Sequence, residues 1–197
     1  MTPEQQGIAL NQLDTEHVKI CTHCHLHESR TNTVFGEGAD NADLMFVGEG
    51  PGVDEDAKGR PFVGRAGQLL DKQIAAMGLT REQVYIANTV KCRPPGNRVP
   101  TPDEADHCRG YLDQQIQIIA PKVIVCLGAT AAKYLLNDMK LAITRVRGQW
   151  RTYRGIDLMP TFHPAYLLRQ YTQDNRRKVW SDLQAVMERL GLPVPSQ

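Results

Sequence analysis

The sequence predicts an α/β fold, a three-layer α/β/α sandwich with a mainly parallel central sheet. Short apolar runs at 44–47 and 123–127 have the length and composition of strands that are buried on both faces. Longer segments with apolar residues at helical spacing, such as 173–190, alternate with these strands. A chain of 197 residues has room for one sizeable core, so we expect a single domain over 1–197.

The individual elements follow from local signals. A helix is expected after Thr2, because a capping residue followed by Pro3 is typical of a helix start. Thr101 and Pro102 give the same signal further along the chain. The expected helices cover 3–19, 67–77, 102–120, 128–136 and 173–190, and the expected strands cover 44–47, 84–87, 123–127, 149–153 and 156–159.

Loops of unusual composition follow three of these strands. They cover 48–62, 88–98 and 161–169; the first two are rich in glycine or proline, and the third contains the His-Pro pair at 163–164. In sheets of this class, ligands bind beyond the carboxyl ends of the strands. We therefore expect the functional site where these three loops meet.

The charge is small overall but unevenly distributed. The net charge of +1 excludes a polycationic nucleic-acid-binding tail. Residues 1–57 nevertheless contain 2 basic and 11 acidic side chains, whereas residues 140–178 contain 9 basic and 2 acidic ones. This asymmetry indicates either one surface that faces an anion or a solvated face that pairs with the acidic half. The sequence contains neither an apolar run of membrane-spanning length nor a signal peptide, so we expect a cytoplasmic protein without a membrane partner.

Five cysteines indicate a metal or redox site rather than a disulfide framework in such a protein. Cys126 lies within an apolar strand and is expected to be a buried small hydrophobe. The other four thiolates suit zinc or an iron–sulfur cluster, and their spacing does not separate these alternatives. A mixed site with nearby histidines also remains open. The four candidate ligands are Cys21, Cys24, Cys92 and Cys108, and the nearby histidines are His23, His25 and His27.

Several motifs together resemble the family four uracil-DNA glycosylases, the iron–sulfur members of the uracil-DNA glycosylase superfamily. These motifs are GEGPG at 48–52, GRPFVGRAG at 59–67, IAN at 86–88 leading to KCRPP at 91–95, and HPA at 163–165. The resemblance extends from about residue 20 to 190. It implies a DNA repair enzyme that flips uracil out of DNA and hydrolyses its N-glycosidic bond, leaving an abasic site. It also implies that the four candidate cysteines bind a [4Fe-4S] cluster.

The resemblance assigns roles to residues of the three loops. His163 would stabilise the uracil anion as it leaves, because catalysis needs a donor where charge develops. Asn88 would read the Watson–Crick edge of the base, since its amide offers both a donor and an acceptor. Phe62 would stack on the flipped base. Glu49 is assigned to positioning the attacking water or to the geometry of its motif.

The glycine-rich loop differs from that of several relatives in the superfamily. Gly50 stands where those relatives have an Asp that orients water, and Gly48 and Gly50 are expected to lie against the substrate. Glu55 could fill the space near uracil C5 and exclude the methyl group of thymine, or it could be a solvated loop residue. A related group inserts a basic loop with a His that becomes covalently trapped on the sugar. No histidine occurs between His107 and His163 here, so the resemblance implies turnover without a covalent adduct.

Residues for contact with DNA are expected around the same loops. Leu167 or Leu168 would be an apolar wedge that fills the space vacated by the base, although both could be core residues of a helix. The expected partner is uracil-containing DNA, single- or double-stranded, and we expect a monomer that associates with the nucleoid when bound. The candidates for phosphate contacts are Arg98, Arg145, Arg147 and Arg169.

Two other functions fit the same fold. One is a DNA-binding module without catalysis, and the other is an iron–sulfur redox module. The presence of both Asn88 and His163 argues against the first. The second predicts a cluster that is reversibly reduced at physiological potential.

Overall fold

A computed structural model describes residues 1–195. Its sheet has six strands in the order β1–β3–β2–β4–β6–β5. The four inner strands run parallel, and the two edge strands are antiparallel to their neighbours. The predicted α/β sandwich with a mainly parallel sheet is therefore confirmed. The strands are β1 (Glu37–Gly38), β2 (Leu44–Gly48), β3 (Tyr85–Asn88), β4 (Val123–Leu127), β5 (Arg151–Tyr153) and β6 (Ile156–Thr161).

Helices cover both faces of this sheet. The longest are the two helices of 18 residues, α5 and α9. The helices are α1 (Pro3–Leu13), α2 (Leu26–Ser29), α3 (Val53–Lys58), α4 (Arg65–Ala76), α5 (Pro102–Ile119), α6 (Ala129–Leu136), α7 (Ile143–Val146), α8 (Pro164–Arg169) and α9 (Gln173–Leu190). None of the helices in residues 1–195 is both long and apolar enough to span a membrane.

Strand β2 shows how the three layers are held together. All five of its residues are buried, and successive side chains point to opposite faces of the sheet. Met45 and Val47 pack in the apolar cluster that contains residues of α1 and α5. Leu44 and Phe46 pack in the opposite cluster, with residues of α4 and α9. Burial on both faces explains why the strand reads as a continuous apolar run.

Helix ends lie close to the predicted positions because local capping fixes them. Thr101 accepts a hydrogen bond from Glu104 N, and the Glu104 side chain accepts one from Thr101 N, so the two residues form a capping box. Helix α9 ends at Gly191, whose φ of 70° is the left-handed conformation that glycine adopts at low cost.

Several segments differ from the prediction, among them short elements such as α2, α7 and α8 that were not predicted. The first helix ends at Leu13 and continues as a π-helix over Asp14–Val18, where we predicted one helix over 3–19. Strand β6 extends beyond residue 159 to Thr161, which pairs with Leu127. The loop after β2 contains α3, because Gly52 and Glu55 form a capping interaction within a segment that its glycines had marked as irregular.

Candidate active site and cysteine cavity

A cavity of about 810 Å³ opens beyond the carboxyl ends of the parallel strands. All three loops of unusual composition contribute to its wall. The first turn of α6 and the start of α7 complete the wall, and sequence reasoning did not include either of them.

Asn88 ends strand β3 at the floor of this cavity. Its side chain is buried, with a residue exposure of 1%, and its Oδ1 makes no hydrogen bond with any residue in 1–195. The backbone around it is fixed. Thr89 donates from both N and Oγ1 to the Gly48 carbonyl oxygen, at 2.9 Å each. A buried polar atom without a partner is unusual in a native structure, and here it faces a cavity.

Phe62 forms a second part of the floor, and two glycines make room for it. A Cβ atom at Gly48 would lie 2.5 Å from the Phe62 ring and 2.5 Å from Asn88 Oδ1. A Cβ atom at Gly67 would lie 1.7 Å from the Phe62 carbonyl oxygen. Phe62 has a φ of 50°, which costs a non-glycine residue energy. Arg81 stabilises this turn by donating to the carbonyl oxygens of Pro61 and Phe62.

His163 lies beside Phe62 in the wall of the cavity, with the ring centroids 5.6 Å apart. It caps helix α8, and its Nδ1 accepts a hydrogen bond from Ala165 N at 3.0 Å. Burial, with a smaller contribution from the positive charge of Arg169, lowers the pKa of His163 to about 4. The imidazole is therefore neutral near pH 7, and because Nδ1 is the acceptor, Nε2 carries the proton.

Two carboxylates line the same cavity. Glu49 accepts a hydrogen bond from the Thr130 hydroxyl. Glu55 accepts from three backbone N–H groups: Val63 at 2.8 Å, Gly64 at 2.9 Å and Gly52 at 3.1 Å. Glu55 is thus no free solvated residue, since it joins the loop after β2 to the start of α4.

Gly50 also lines the cavity, as its predicted contact with substrate requires. A Cβ atom at this position would lie 2.8 Å from Val90 Cγ2. A larger residue such as Asp therefore has room at this position only if the Val90 side chain moves.

The four candidate phosphate contacts divide into two pairs. Arg98 forms a bidentate ion pair with Glu104, at 2.6 and 2.8 Å, which lowers the pKa of Glu104 to about 2. Arg147 pairs with the buried carboxylate of Asp182, which also accepts from Thr161 Oγ1. Its guanidinium already has a carboxylate partner inside the protein, so the pairing disfavours the predicted contact of Arg147 with phosphate. The side chains of Arg145 and Arg169 are on the surface.

The two candidate wedge residues lie on different faces of α8. Leu167 has an exposure of 2% and belongs to the apolar cluster between α8 and the sheet. The prediction that Leu167 enters DNA is therefore wrong, because this side chain is part of the core. Leu168 is partly exposed. The wedge prediction stays with Leu168 alone.

The four candidate ligand cysteines line one small cavity on the α5 side of the sheet. Two of them lie before α2, one follows β3 and one lies on α5, so the cavity joins three separate parts of the chain. Arg30 donates to Cys92 Sγ at 3.1 Å. Burial raises the pKa of the Cys108 thiol to about 12. The lining cysteines are Cys21, Cys24, Cys92 and Cys108.

In residues 1–195 the four thiols are not arranged around one point at which a single metal ion could bind. Within residues 1–195, no three His, Cys, Asp or Glu side chains are arranged to hold one metal ion. Cys126 is fully buried in β4 and does not line the cavity, so its predicted place in the core is confirmed.

Lys91 connects the cysteine cavity to the floor of the larger one. Its side chain is fully buried, and its Nζ donates to the Asn88 carbonyl oxygen at 3.0 Å and to Gln115 Oε1 at 2.6 Å. Lys91 also lines the cysteine cavity. Sequence reasoning missed this residue, although a lysine between a buried strand and a candidate ligand cysteine was a signal for it.

Comparison with known proteins agrees with this geometry. The profile of the uracil DNA glycosylase superfamily matches residues 35–184. A type-4 uracil-DNA glycosylase of Thermotoga maritima is 51% identical over 178 residues, which are 89% of this chain and 92% of that protein. A type-4 uracil-DNA glycosylase of Archaeoglobus fulgidus is 44% identical, over 91% of this chain and 92% of its own length. This chain belongs to the uracil DNA glycosylase superfamily, in its type-4 group.

Proposed function

We propose that this protein removes uracil from DNA by hydrolysing the N-glycosidic bond, leaving an abasic site. The observation that carries the proposal is the buried Oδ1 of Asn88 at the floor of the cavity, which has no hydrogen-bond partner among residues 1–195. An unsatisfied buried acceptor costs roughly 1–3 kcal/mol. A flipped base with a donor on its Watson–Crick edge would remove that cost on binding.

Uracil matches Asn88 better than cytosine does. Its N3–H donates and its neighbouring carbonyl oxygen accepts, which complements the acceptor and the donor of the Asn88 amide. Cytosine has an acceptor at N3 and a donor amino group beside it, so both contacts would be mismatched. The Phe62 ring provides the apolar surface against which the base stacks.

The neutral state of His163 suits the departure of the base. Its Nε2–H is free to donate to a uracil oxygen, because Ala165 N occupies Nδ1 and fixes the ring orientation. As the glycosidic bond breaks, negative charge develops on the uracil, and a donor already in place stabilises it without reorganisation. Glu49 is the carboxylate we assign to the attacking water, and Glu55 shapes the wall near the base.

We further propose that the four cysteines that line the smaller cavity hold a [4Fe-4S] cluster. They supply four soft thiolate ligands, and the side chains of Arg30 and Lys91 line the same cavity. These cations would offset the charge of a thiolate-bound anion. A zinc ion would need all four sulfurs at about 2.3 Å from one point, which the thiol arrangement does not provide. When bound, the cluster supplies a cross-link between the N-terminal segment, the end of β3 and α5.

The cluster is tested by metal and sulfide analysis of protein purified without oxygen. We expect about four irons per chain, the count of a [4Fe-4S] cluster, with visible absorbance. Cys108→Ala should lose this absorbance, whereas the matched control Cys126→Ala should keep it. Stoichiometric zinc without iron in fully active protein would overturn the assignment.

The same reaction suggests the partner, the oligomeric state and the location of the protein. We infer that the partner is uracil-containing DNA and that the protein works in the cytoplasm on the nucleoid. We also infer that one domain and one copy of the chain suffice, because a single chain supplies the whole cavity.

The activity is tested with oligonucleotides that carry one uracil, cytosine or thymine, treated with alkali after incubation. Strand breakage is expected with uracil alone. Asn88→Asp replaces the amide donor with an acceptor, so it should lose uracil excision. A cluster-loaded wild-type protein that breaks no strand would leave a DNA-binding or redox module as the function, and full activity of Asn88→Ala would remove Asn88 from the pocket.

A further inference from the structure

The cavity contains a carboxylate–hydroxyl pair whose hydroxyl partner lies outside all of the sequence motifs. Glu49 follows strand β2, and Thr130 lies in the first turn of α6, 81 residues further along the chain. The Thr130 hydroxyl donates to Glu49 Oε2, and both residues line the cavity beside Asn88 and His163. Because an ionised carboxylate has no proton to give, Thr130 is the donor of this pair.

Both partners are held by the backbone. Glu49 accepts from Val90 N through its carbonyl oxygen, at 3.2 Å. The turn before α6 is fixed by Gly128, whose N–H donates to Thr161 O at 3.0 Å and whose φ is 94°. Thr130 itself is buried, with an exposure of 7%. The hydroxyl therefore meets the carboxylate from a rigid position.

The Glu49 carboxylate lies against the N-terminal turn of α6, a helix of eight residues. The free N–H groups of a helix start favour a negative charge. The other carboxylate oxygen, Oε1, accepts no hydrogen bond from residues 1–195, and the residue is only partly buried.

We propose that Thr130 is a positioning residue for the reaction, which holds Glu49 by Oε2 so that Oε1 is left to accept a proton from the attacking water. The inference rests on the proposed uracil excision. In that step a lone pair of the water oxygen forms the bond to the sugar C1′, and the C1′–N1 bonding pair leaves with the uracil. One water proton passes to Glu49 Oε1, and His163 donates a hydrogen bond to the departing anion.

The test uses single-turnover excision from a single-stranded uracil oligonucleotide. Thr130→Val removes the hydroxyl and keeps the side-chain shape, and we expect the rate to fall roughly 10- to 100-fold, the range for a hydrogen bond to a charged group. The dissociation constant for DNA should change less than about twofold, because the hydrogen bond between Thr130 and Glu49 serves the attack of water and not the binding of DNA. Thr130→Ser restores a hydroxyl and should rescue the rate to within about threefold of wild type.

A double-mutant cycle separates positioning from a structural role. With Glu49→Gln as background, Thr130→Val should lower the rate less than about twofold, because the carboxylate it serves is already absent. Thermal unfolding of every variant checks folding, and Thr130→Ala replaces Thr130→Val if the valine destabilises the chain.

Three results would overturn the inference: an unchanged rate in Thr130→Val, an equal loss with and without Glu49, or a failure of Thr130→Ser to rescue. Each of these is read against wild-type protein that excises uracil. Absence of excision by the wild type would instead contradict the proposed function itself.

Discussion

The floor of the active-site cavity and the arginines predicted to bind DNA are built on opposite principles. At the floor, Asn88 and His163 are fixed by backbone contacts, and each has a side-chain polar atom without a partner among residues 1–195. Arg98 and Arg147 use their charges within the protein, while Arg145 and Arg169 lie on the surface. The floor is thus prepared for one chemistry, whereas only part of the positive charge of these arginines is available to DNA.

The largest effect is expected from breaking the internal ion pair between Arg147 and Asp182. Arg147→Ala leaves the Asp182 carboxylate buried without its cation, so the free energy of unfolding should fall by about 3–5 kcal/mol. Denaturant unfolding measures this change. Arg145→Ala is the matched control and should change stability by less than about 0.5 kcal/mol. Equal stability of the two variants would contradict the distinction between the two arginines.

The two leucines of α8 give the next comparison. Leu167→Ala creates a core cavity and should cost about 2–5 kcal/mol of unfolding free energy. Leu168→Ala should leave stability nearly unchanged, but it should slow excision from double-stranded DNA more than from single strands, because only the duplex must be opened. Calorimetry and excision assays on both substrates measure these effects. If Leu167→Ala instead slowed excision only on double-stranded DNA, Leu167 would be the wedge and Leu168 would not.

The exposed arginines should act through charge alone. Arg145→Gln and Arg169→Gln should each weaken DNA binding for every sequence and reduce the slope of log K against log salt by roughly 0.7–0.9. Binding titrations at several salt concentrations measure the slope, with excision at saturating enzyme as the control that should not change. A salt slope equal to that of wild type would place the residue outside the DNA contact.

The next prediction concerns how the free energy of unfolding depends on pH through His163 at the floor of the cavity. The pKa of His163 is lowered to about 4 in the folded state, from 6.5 as its ordinary value. The unfolded chain therefore binds the proton first, so stability contributed by the neutral imidazole is present above pH 6.5 and is lost as the pH falls toward 4. Unfolding free energies of wild type and His163→Gln should converge over this range. Parallel curves would show that His163 is not buried as a neutral group.

Much of the fold could be predicted because its signals are local. The buried strand at 44–47 and the caps at Thr2 and Thr101 needed only neighbouring residues. Helix α3 was missed, since glycines in the preceding loop concealed the capping interaction between Gly52 and Glu55.

The candidate site could be predicted only where residues belong to short motifs. Asn88, Phe62 and His163 each stand in such a motif and line one cavity. Thr130 stands in no such motif, and the role of Lys91, although it begins the KCRPP motif, depends on partners that the tertiary fold places beside it. Leu167 and Leu168 are adjacent, and only the orientation of α8 in the structure separates them.

The central claim is that the floor is arranged for the departing base. Single-turnover excision by His163→Ala, on a single-stranded uracil oligonucleotide that removes most of the flipping step, tests it most directly. Loss of one such donor should lower the rate about 10²–10³-fold, or roughly 3–4 kcal/mol, with little change in DNA affinity. The exposed His17 provides the control, since His17→Ala should keep the wild-type rate. A fall of less than about threefold in His163→Ala, well short of the donor-loss range, would contradict the account.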